Sequence, residues 1–222
     1  MGWHDGAVDT PEIRRTGVKE PDAVVLFLHG GQDSSHEPVI RRHASWARMA
    51  VMQLAFERFA RQHDLAAWLV KYRFRGWNAT TGGDPDPVRD ARWAAKEVRR
   101  EHPGRPIVLV GHSMGGRTAC RMADESSVVG VCGLAPWLPT GEPVDALRGR
   151  SLSVIHGTAD KWTSARASAD FVDRARPIAT SALWQPLPEA GHFMLRRPTA
   201  WDSFVRDCVV DMLELPRVKG RA

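Results

Sequence analysis

Short, continuous apolar runs alternate along the chain with longer segments in which apolar residues recur every three or four positions. The first strong run covers residues 23–28, and another at 107–110 follows Pro106. Uninterrupted runs of this length and β-branched content are typical of strands buried on both faces of a parallel sheet. Residues 40–63 and 85–102 have helical spacing instead. The alternation predicts strands joined by helical crossovers.

The same pattern continues through the rest of the chain. Further strands are predicted at residues 65–72, 128–134, 151–155 and 181–187, and further helices at 117–124, 164–175 and 199–215. Parallel neighbouring strands need crossover connections, and such crossovers place helices on both faces of the sheet. We therefore expect an α/β fold, a three-layer α/β/α sandwich around a mostly parallel sheet of about six to seven strands.

No segment has the composition of an interdomain linker, so we expect a single domain over residues 23–215. Residues 1–22 are polar and irregular, with room for one edge strand at most, and residues 216–222 form a basic tail that we expect to be disordered. About sixteen residues separate the strand ending at Leu134 from the one beginning at Ser151, too few for a helical cap domain. The site should therefore be open and shallow.

A glycine-rich turn connects the strand at 107–110 to the next helix. It reads Gly-His-Ser-Met-Gly at residues 111–115, the G-x-S-x-G pattern in a strand-to-helix context. The spacing has a steric reason, since Gly111 and Gly115 leave out side chains that would clash where strand and helix cross. The helix also points its N–H groups and positive dipole end at the turn, which favours a developing oxyanion. The pattern indicates that Ser113 is a nucleophile.

A serine hydroxyl is a weak nucleophile and needs a base, which in turn needs a carboxylate to orient it. Asp160 lies just past the predicted strand at 151–155, and His192 follows the last predicted strand. The order Ser113, Asp160, His192 places all three in loops at the same edge of the sheet. His192 is the only histidine after Asp160 in the chain. These residues are the predicted nucleophile, carboxylate and base.

Each assignment has a structural alternative. Asp160 also suits the N-terminal acid of the helix at 164–175, and Asp170 and Asp173 inside that helix are weaker candidates for the orienting carboxylate. His192 also suits an ordinary surface loop. Three other histidines near strand ends are expected to pack or to anchor loops rather than to react: His29, His112 and His156.

Taken together, the motifs resemble the α/β-hydrolases, and among them the small lidless carboxylesterases and the dienelactone hydrolase group. In chain order they are HGG at 29–31, GHSMG at 111–115, HGTAD at 156–160 and GH at 191–192. The resemblance extends from about residue 24 to residue 215. It implies that Ser113 is the nucleophile, His192 the general base and acid, and Asp160 the carboxylate that holds the imidazole. Dienelactone hydrolases proper carry cysteine at the position of Ser113, so this serine favours ordinary ester hydrolysis.

The resemblance also implies an oxyanion hole made of two backbone N–H groups. One belongs to Met114, the residue after the nucleophile. The other comes from the loop after the first apolar strand, where Gly31 and Gln32 are both candidates. Of the side chains, Trp162 is expected to contact the substrate, and Trp137 to form part of the pocket rim.

Composition narrows the class of function. Lys and Arg number 31 against 26 Asp and Glu, but the arginines are interspersed with acids, so we do not expect nucleic-acid binding. The N-terminus shows no secretory signal, and no apolar run is long enough to cross a membrane. Three widely spaced cysteines favour buried free thiols and a reducing, cytoplasmic location: Cys120, Cys132 and Cys208. No metal or organic cofactor is implied.

These observations lead to one functional hypothesis. We expect a serine hydrolase that cleaves a carboxylic ester of a small or short-chain acyl substrate through an acyl-enzyme. The alternatives are a thioesterase or acyltransferase of the same fold, and a non-catalytic homologue that binds a small ligand. The sequence leaves the natural substrate, its leaving group and the oligomeric state open.

Overall fold

A computed structural model describes residues 10–216. The first nine residues of the N-terminal segment, and the predicted basic tail apart from Pro216, lie outside the described residues. The strands are β1 (Glu12–Gly17), β2 (Ala23–Leu28), β3 (Leu65–Lys71), β4 (Ile107–His112), β5 (Val128–Leu134), β6 (Ser151–Gly157) and β7 (Ser181–Leu187). The helices are α1 (Ala44–Gln62), α2 (Asp86–Glu101), α3 (Met114–Arg121), α4 (Ala165–Ala175) and α5 (Pro198–Met212), with a 3-10 turn at Asp145–Leu147.

All seven strands belong to one sheet in the order β1-β3-β2-β4-β5-β6-β7. The edge strand β1 runs antiparallel to β3, and every other neighbouring pair is parallel. Helices α1 and α5 contact each other and pack on the sheet, as do α2 and α3. Helix α4 packs on β6 and β7. This confirms the predicted three-layer, mostly parallel α/β fold.

Burial follows position in the sheet. Every residue of β2 and β4 is buried, because these central strands are covered by helices on both sides. By contrast, most of β7 is exposed or half-buried, as an edge strand with a free side should be. The hydrophobic core therefore extends along the whole length of the central strands, and the loops that follow these strands are anchored to it.

Helix α3 begins earlier than the sequence pattern predicts. Its first residue is Met114, immediately after Ser113, whereas apolar periodicity places the start at Arg117. Gly115 and Gly116 have low helix propensity and obscure the first turn in the sequence. The early start brings the N–H groups of the first helical turn directly beside the serine.

The connection between β5 and β6 covers residues 135–150 and contains only the short turn at Asp145–Leu147. No cap domain is built from it, as the sequence predicts. The carboxyl edge of the sheet is therefore left without a helical cover from this connection.

Candidate active site

Ser113 occupies the sharp turn between β4 and α3. Its backbone has a φ of 55° and a ψ of −120°, a strained conformation for an L-residue. A side chain at Gly111 would overlap the carbonyl group of Gly115, and one at Gly115 would overlap the carbonyl group of Leu28. The two glycines thus permit the close crossing of strand and helix that the motif predicts.

The structure brings together the three side chains predicted to react. His192 Nε2 lies 3.0 Å from Ser113 Oγ, and His192 Nδ1 lies 2.8 Å from Asp160 Oδ2. Ser113 and His192 are 8 % and 7 % exposed, and the side chain of Asp160 is fully buried. The hydroxyl, the imidazole and the carboxylate therefore form one continuous, largely buried hydrogen-bonded chain.

The chemistry of these atoms decides which ring nitrogen carries the proton. An ionised carboxylate only accepts hydrogen bonds, so His192 Nδ1 must donate to Asp160. In the neutral ring, Nε2 is then left as the acceptor that faces the hydroxyl of Ser113. This is the arrangement in which an imidazole can remove a proton from a serine.

Asp160 is held as an anion by its surroundings. Burial alone would raise its pKa, but hydrogen bonds from His156, His192 and the backbone N–H groups of Thr163 and Trp162 outweigh that effect and hold the pKa far below its usual range. The two backbone groups donate to Oδ1 at 3.0 and 2.7 Å. The carboxylate is therefore ionised at neutral pH.

The structural alternatives for Asp160 are filled by other residues. Ser164 is the N-cap of α4, where its Oγ accepts a hydrogen bond from the Ala167 N–H at 3.1 Å. Asp170 and Asp173 lie in α4, and Asp173 forms an exposed ion pair with Arg176 at 3.2 Å. The capping role thus belongs to Ser164, and Asp160 is the carboxylate that contacts the imidazole.

His112 has a role beyond packing. It is buried, and its Nε2 lies 2.9 Å from the backbone carbonyl oxygen of His192. Burial lowers the pKa of His112 to about 3, so the ring is neutral and its Nε2–H donates to that carbonyl. The residue beside the nucleophile therefore fixes the backbone of the loop that carries the base.

The loop after β2 carries the two candidates for the second oxyanion donor. The backbone N–H of Gln32 donates to the carbonyl oxygen of Arg75 at 2.8 Å. Gly31 lies one residue closer to the elbow, and a side chain there would overlap both the Arg75 carbonyl and the Met114 side chain. The hydrogen bond already made by Gln32 favours Gly31 as the partner of Met114, and the choice between them stays a prediction.

Two aromatic side chains stand around the imidazole of His192. The ring of Trp162 lies nearly parallel to it, with a centroid distance of 6.4 Å, although Trp162 is 72 % exposed. Phe193 stands edge-on to both rings, with centroid distances of 5.4 Å to each. The sequence analysis singled out Trp162 but missed Phe193, whose position directly after His192 was the available signal.

Trp137 lies in a packed cluster next to the elbow. Its ring meets Trp77 at 6.1 Å, and the Arg117 guanidinium lies 4.6 Å from Trp137 and 4.1 Å from Trp77. Arg117 is also paired with the buried Glu142 at 2.6 Å. The Trp137 backbone N–H donates to the Ser113 carbonyl oxygen at 3.0 Å. Trp137 therefore supports the elbow from the side, and its predicted place at the pocket rim stays a prediction.

Comparison with known proteins agrees with this geometry. The family model of the alpha/beta hydrolase family matches residues 25–218. The chain belongs to that family. The matched region includes the elbow with Ser113 and the loops that carry Asp160 and His192. No curated protein matches the sequence.

Solved structures resemble this alpha/beta hydrolase over nearly its whole length. A lidless α/β serine hydrolase from Xanthomonas campestris is 18 % identical with a TM-score of 0.66, covering 94 % of this chain and 91 % of its own. A serine hydrolase homologue from Coxiella burnetii is 16 % identical with a TM-score of 0.61, covering 91 % and 90 %. Esterase 2 of Thermogutta terrifontis, phosphorylated by paraoxon, is 16 % identical with a TM-score of 0.69, covering 94 % and 91 %. Such low identities show the shared fold alone.

Other features of this alpha/beta hydrolase concern cofactors and membranes. Within residues 10–216, no group of three or more His, Cys, Asp or Glu side chains is arranged to hold a metal ion. None of the helices in that range combines the length and apolar content that a membrane crossing requires. The three cysteines are free and buried: Cys120, Cys132 and Cys208.

Proposed function

We propose that this α/β-hydrolase is a serine hydrolase that cleaves a carboxylic ester of a small or short-chain acyl substrate through an acyl-enzyme. The observation that carries the proposal is the hydrogen-bonded chain from Ser113 Oγ through His192 to Asp160, with distances of 3.0 and 2.8 Å. The fold of the family supports it, since the residues occupy the loops where α/β-hydrolases place their nucleophile, carboxylate and base.

In the first half-reaction, Ser113 Oγ attacks the ester carbonyl carbon while its proton passes to His192 Nε2. The carbonyl oxygen gains negative charge and is stabilised by the backbone N–H groups of Met114 and Gly31. His192 then gives the proton to the leaving alcohol oxygen as the ester C–O bond breaks. The products of this step are the free alcohol and an acyl group bound to Ser113.

In the second half-reaction, water replaces the alcohol. His192 Nε2 removes a proton from the water as its oxygen attacks the acyl carbon, and the same two N–H groups hold the oxyanion. Collapse of the intermediate returns the proton to Ser113 Oγ and releases the carboxylic acid. The Asp160 carboxylate stabilises the imidazolium that forms in each half-reaction but does not itself take up a proton.

The surroundings of the site suit a small substrate that approaches from solvent. No cap is built from residues 135–150, and Trp162 is largely exposed next to His192. We infer that Trp162 and Phe193 contact the apolar part of the ester, and that Trp137 borders the opposite side. When a ligand covers exposed aromatic rings of this kind, apolar area is removed from water and the complex is stabilised.

The experiment that tests the function is labelling by an active-site-directed fluorophosphonate, combined with hydrolysis of short-chain p-nitrophenyl esters. We expect the folded protein to be labelled at Ser113 and to release p-nitrophenol, and the Ser113→Ala variant to do neither. Absence of labelling in the folded wild-type protein would refute the proposal and leave a non-catalytic binding protein as the better explanation. Adding alcohol or thiol acceptors to the same assay separates hydrolysis from acyl transfer.

The proposed setting is the cytoplasm, with a small-molecule ester as the partner. The three free, buried thiols support it, because proteins of reducing compartments keep their cysteines unpaired. Fractionation of the producing cells, with immunodetection of the chain, tests the location.

A further inference from the structure

The carboxylate of Asp160 receives more donors than the proposed reaction needs. His192 Nδ1, Thr163 Oγ1 and His156 Nε2 lie 2.8, 2.9 and 3.1 Å from the same oxygen, Oδ2. The other oxygen, Oδ1, accepts two backbone N–H groups. The side chain of Asp160 is fully buried. His156 is the one donor that belongs to neither the loop of Asp160 nor the base.

His156 is itself anchored from a different element. It lies in β6 and is completely buried. Its Nδ1 lies 2.9 Å from Oγ of Ser168, a completely buried residue of α4. Because the carboxylate can only accept, His156 Nε2 carries a hydrogen. In the neutral ring, Nδ1 then accepts from the Ser168 hydroxyl. Asp160 thus sets the tautomer, and the Ser168 hydroxyl, which can donate or accept, holds the other side of the ring from helix α4.

Thr163 is a less restrictive donor to the same oxygen. Its hydroxyl has one hydrogen and two acceptors within reach, Asp160 Oδ2 at 2.9 Å and the Ala135 carbonyl oxygen at 3.3 Å. His156 Nε2 lies 3.1 Å from Asp160 Oδ2 and 3.2 Å from Thr163 Oγ1, on a rigid ring that is held at its other nitrogen, and the ionised carboxylate is the stronger of these two acceptors. Rotation of the carboxylate about its Cβ–Cγ bond is therefore opposed by His156 and Thr163 at Oδ2 and by the two backbone donors at Oδ1.

We propose that His156, held by Ser168, is a positioning residue that fixes Asp160 Oδ2 in line with His192 Nδ1. The proposal rests on the hydrolase function proposed above and assigns His156 no contact with substrate. Its loss would let the carboxylate turn and would misalign the imidazole with the Ser113 hydroxyl. Misplacement of a reacting group lowers the rate of the chemical step more than substrate binding. The effect should appear in kcat and leave KM nearly unchanged.

A matched pair of substitutions tests this role. His156→Gln keeps an amide N–H near the position of Nε2, whereas His156→Leu has similar bulk and no donor. We expect His156→Leu to lower kcat and the fluorophosphonate labelling rate by roughly 10-fold to 100-fold with KM unchanged, and His156→Gln to recover most of the loss. Unchanged kcat in His156→Leu, or equal losses in both variants, would overturn the proposal.

A second pair covers the case in which His156→Leu does not fold. Ser168→Ala removes the partner of His156 Nδ1, and Ser164→Ala removes the N-cap of the same helix without touching His156. We expect a lower kcat in Ser168→Ala alone, with both variants losing thermal stability. Equal kcat values in the two variants would overturn the proposal, because loss of the hydrogen bond to His156 would then have no effect beyond that of a weakened helix. Fluorophosphonate labelling of the wild-type protein distinguishes failure of the hydrolase proposal from failure of the His156 proposal. Absence of labelling refutes the hydrolase function, and labelling leaves only the role of His156 in question.

Discussion

Two buried histidines should make the fold sensitive to mild acid. Burial lowers the pKa of His112 to about 3 and that of His29 to about 4, against about 6.5 in an unfolded chain. At pH 5, for example, both rings are neutral in the folded protein and become protonated on unfolding. A group whose pKa is depressed by folding contributes stability that is complete above pH 6.5 and is lost as the pH falls towards the folded pKa.

The size of the effect follows from the two shifts. At pH 5, unfolding takes up nearly one proton at each histidine, so the free energy of unfolding should fall by roughly 2 to 3 kcal/mol per pH unit. Between pH 6.5 and pH 4, the two groups together remove roughly 6 kcal/mol, which is comparable with the whole stability of many domains. The pKa of Asp160 is lowered so far that this carboxylate adds to the loss only below about pH 4. Burial also lowers the pKa of His43, which adds to the loss in the same interval, whereas burial raises the pKa of Asp90, which works in the opposite direction.

Urea unfolding measured at half-unit steps between pH 7 and 5 gives the slope directly. His112→Gln retains a donor near Nε2 but does not titrate, so its slope should be smaller than that of the wild type by roughly 1 kcal/mol per pH unit. His63→Gln is the control, because His63 lies at the partly exposed end of α1. A wild-type free energy of unfolding that is constant between pH 6.5 and 5 would refute the reasoning, as would equal slopes in wild type and His112→Gln.

Two further predictions concern activity. Asp160→Asn should lower kcat by roughly 10⁴-fold, because an amide cannot fix the donor tautomer of His192 as a carboxylate does; Asp173→Asn on α4 is the control, and comparable kcat values in the two variants would contradict the assignment. Trp162→Ala should raise KM for p-nitrophenyl esters by roughly fivefold to tenfold with little change in kcat, because apolar area next to the site is lost. Leu183→Ala removes an exposed apolar side chain from β7, and an equal change in KM there would exclude a direct contact by Trp162.

The fold was predictable because its evidence is local. Apolar runs mark the buried strands, and the run at 23–28 coincides with β2 residue for residue. The elbow was predictable because its glycines are required by backbone crowding that any such turn must relieve. The start of α3 was not, since the same glycines weaken the helical pattern in its first turn.

The rest of the site depends on contacts between distant segments. Nothing in the sequence favours Gly31 over Gln32 until the Arg75 carbonyl, on a different loop, is seen to accept the Gln32 N–H. The link from Ser168 through His156 to Asp160 joins a helix, a strand and a loop, and no spacing rule connects them. The HGTAD motif offered a weak signal, a histidine four residues before the carboxylate, but the sequence does not show whether the turn after β6 brings Asp160 back to the His156 ring.

The short connection at residues 135–150 has a consequence for how the molecule can change. It leaves β5 at the carboxyl edge of the sheet, beside the elbow, and returns to the opposite edge where β6 begins. The pairing of β5 with β6 holds both ends in place, and the Trp137 N–H bonds the Ser113 carbonyl, so additional chain inserted after Trp137 would begin next to the nucleophile without interrupting the sheet. Lengthening this one connection is therefore a route by which an open site of this kind could become covered and accept fewer substrates.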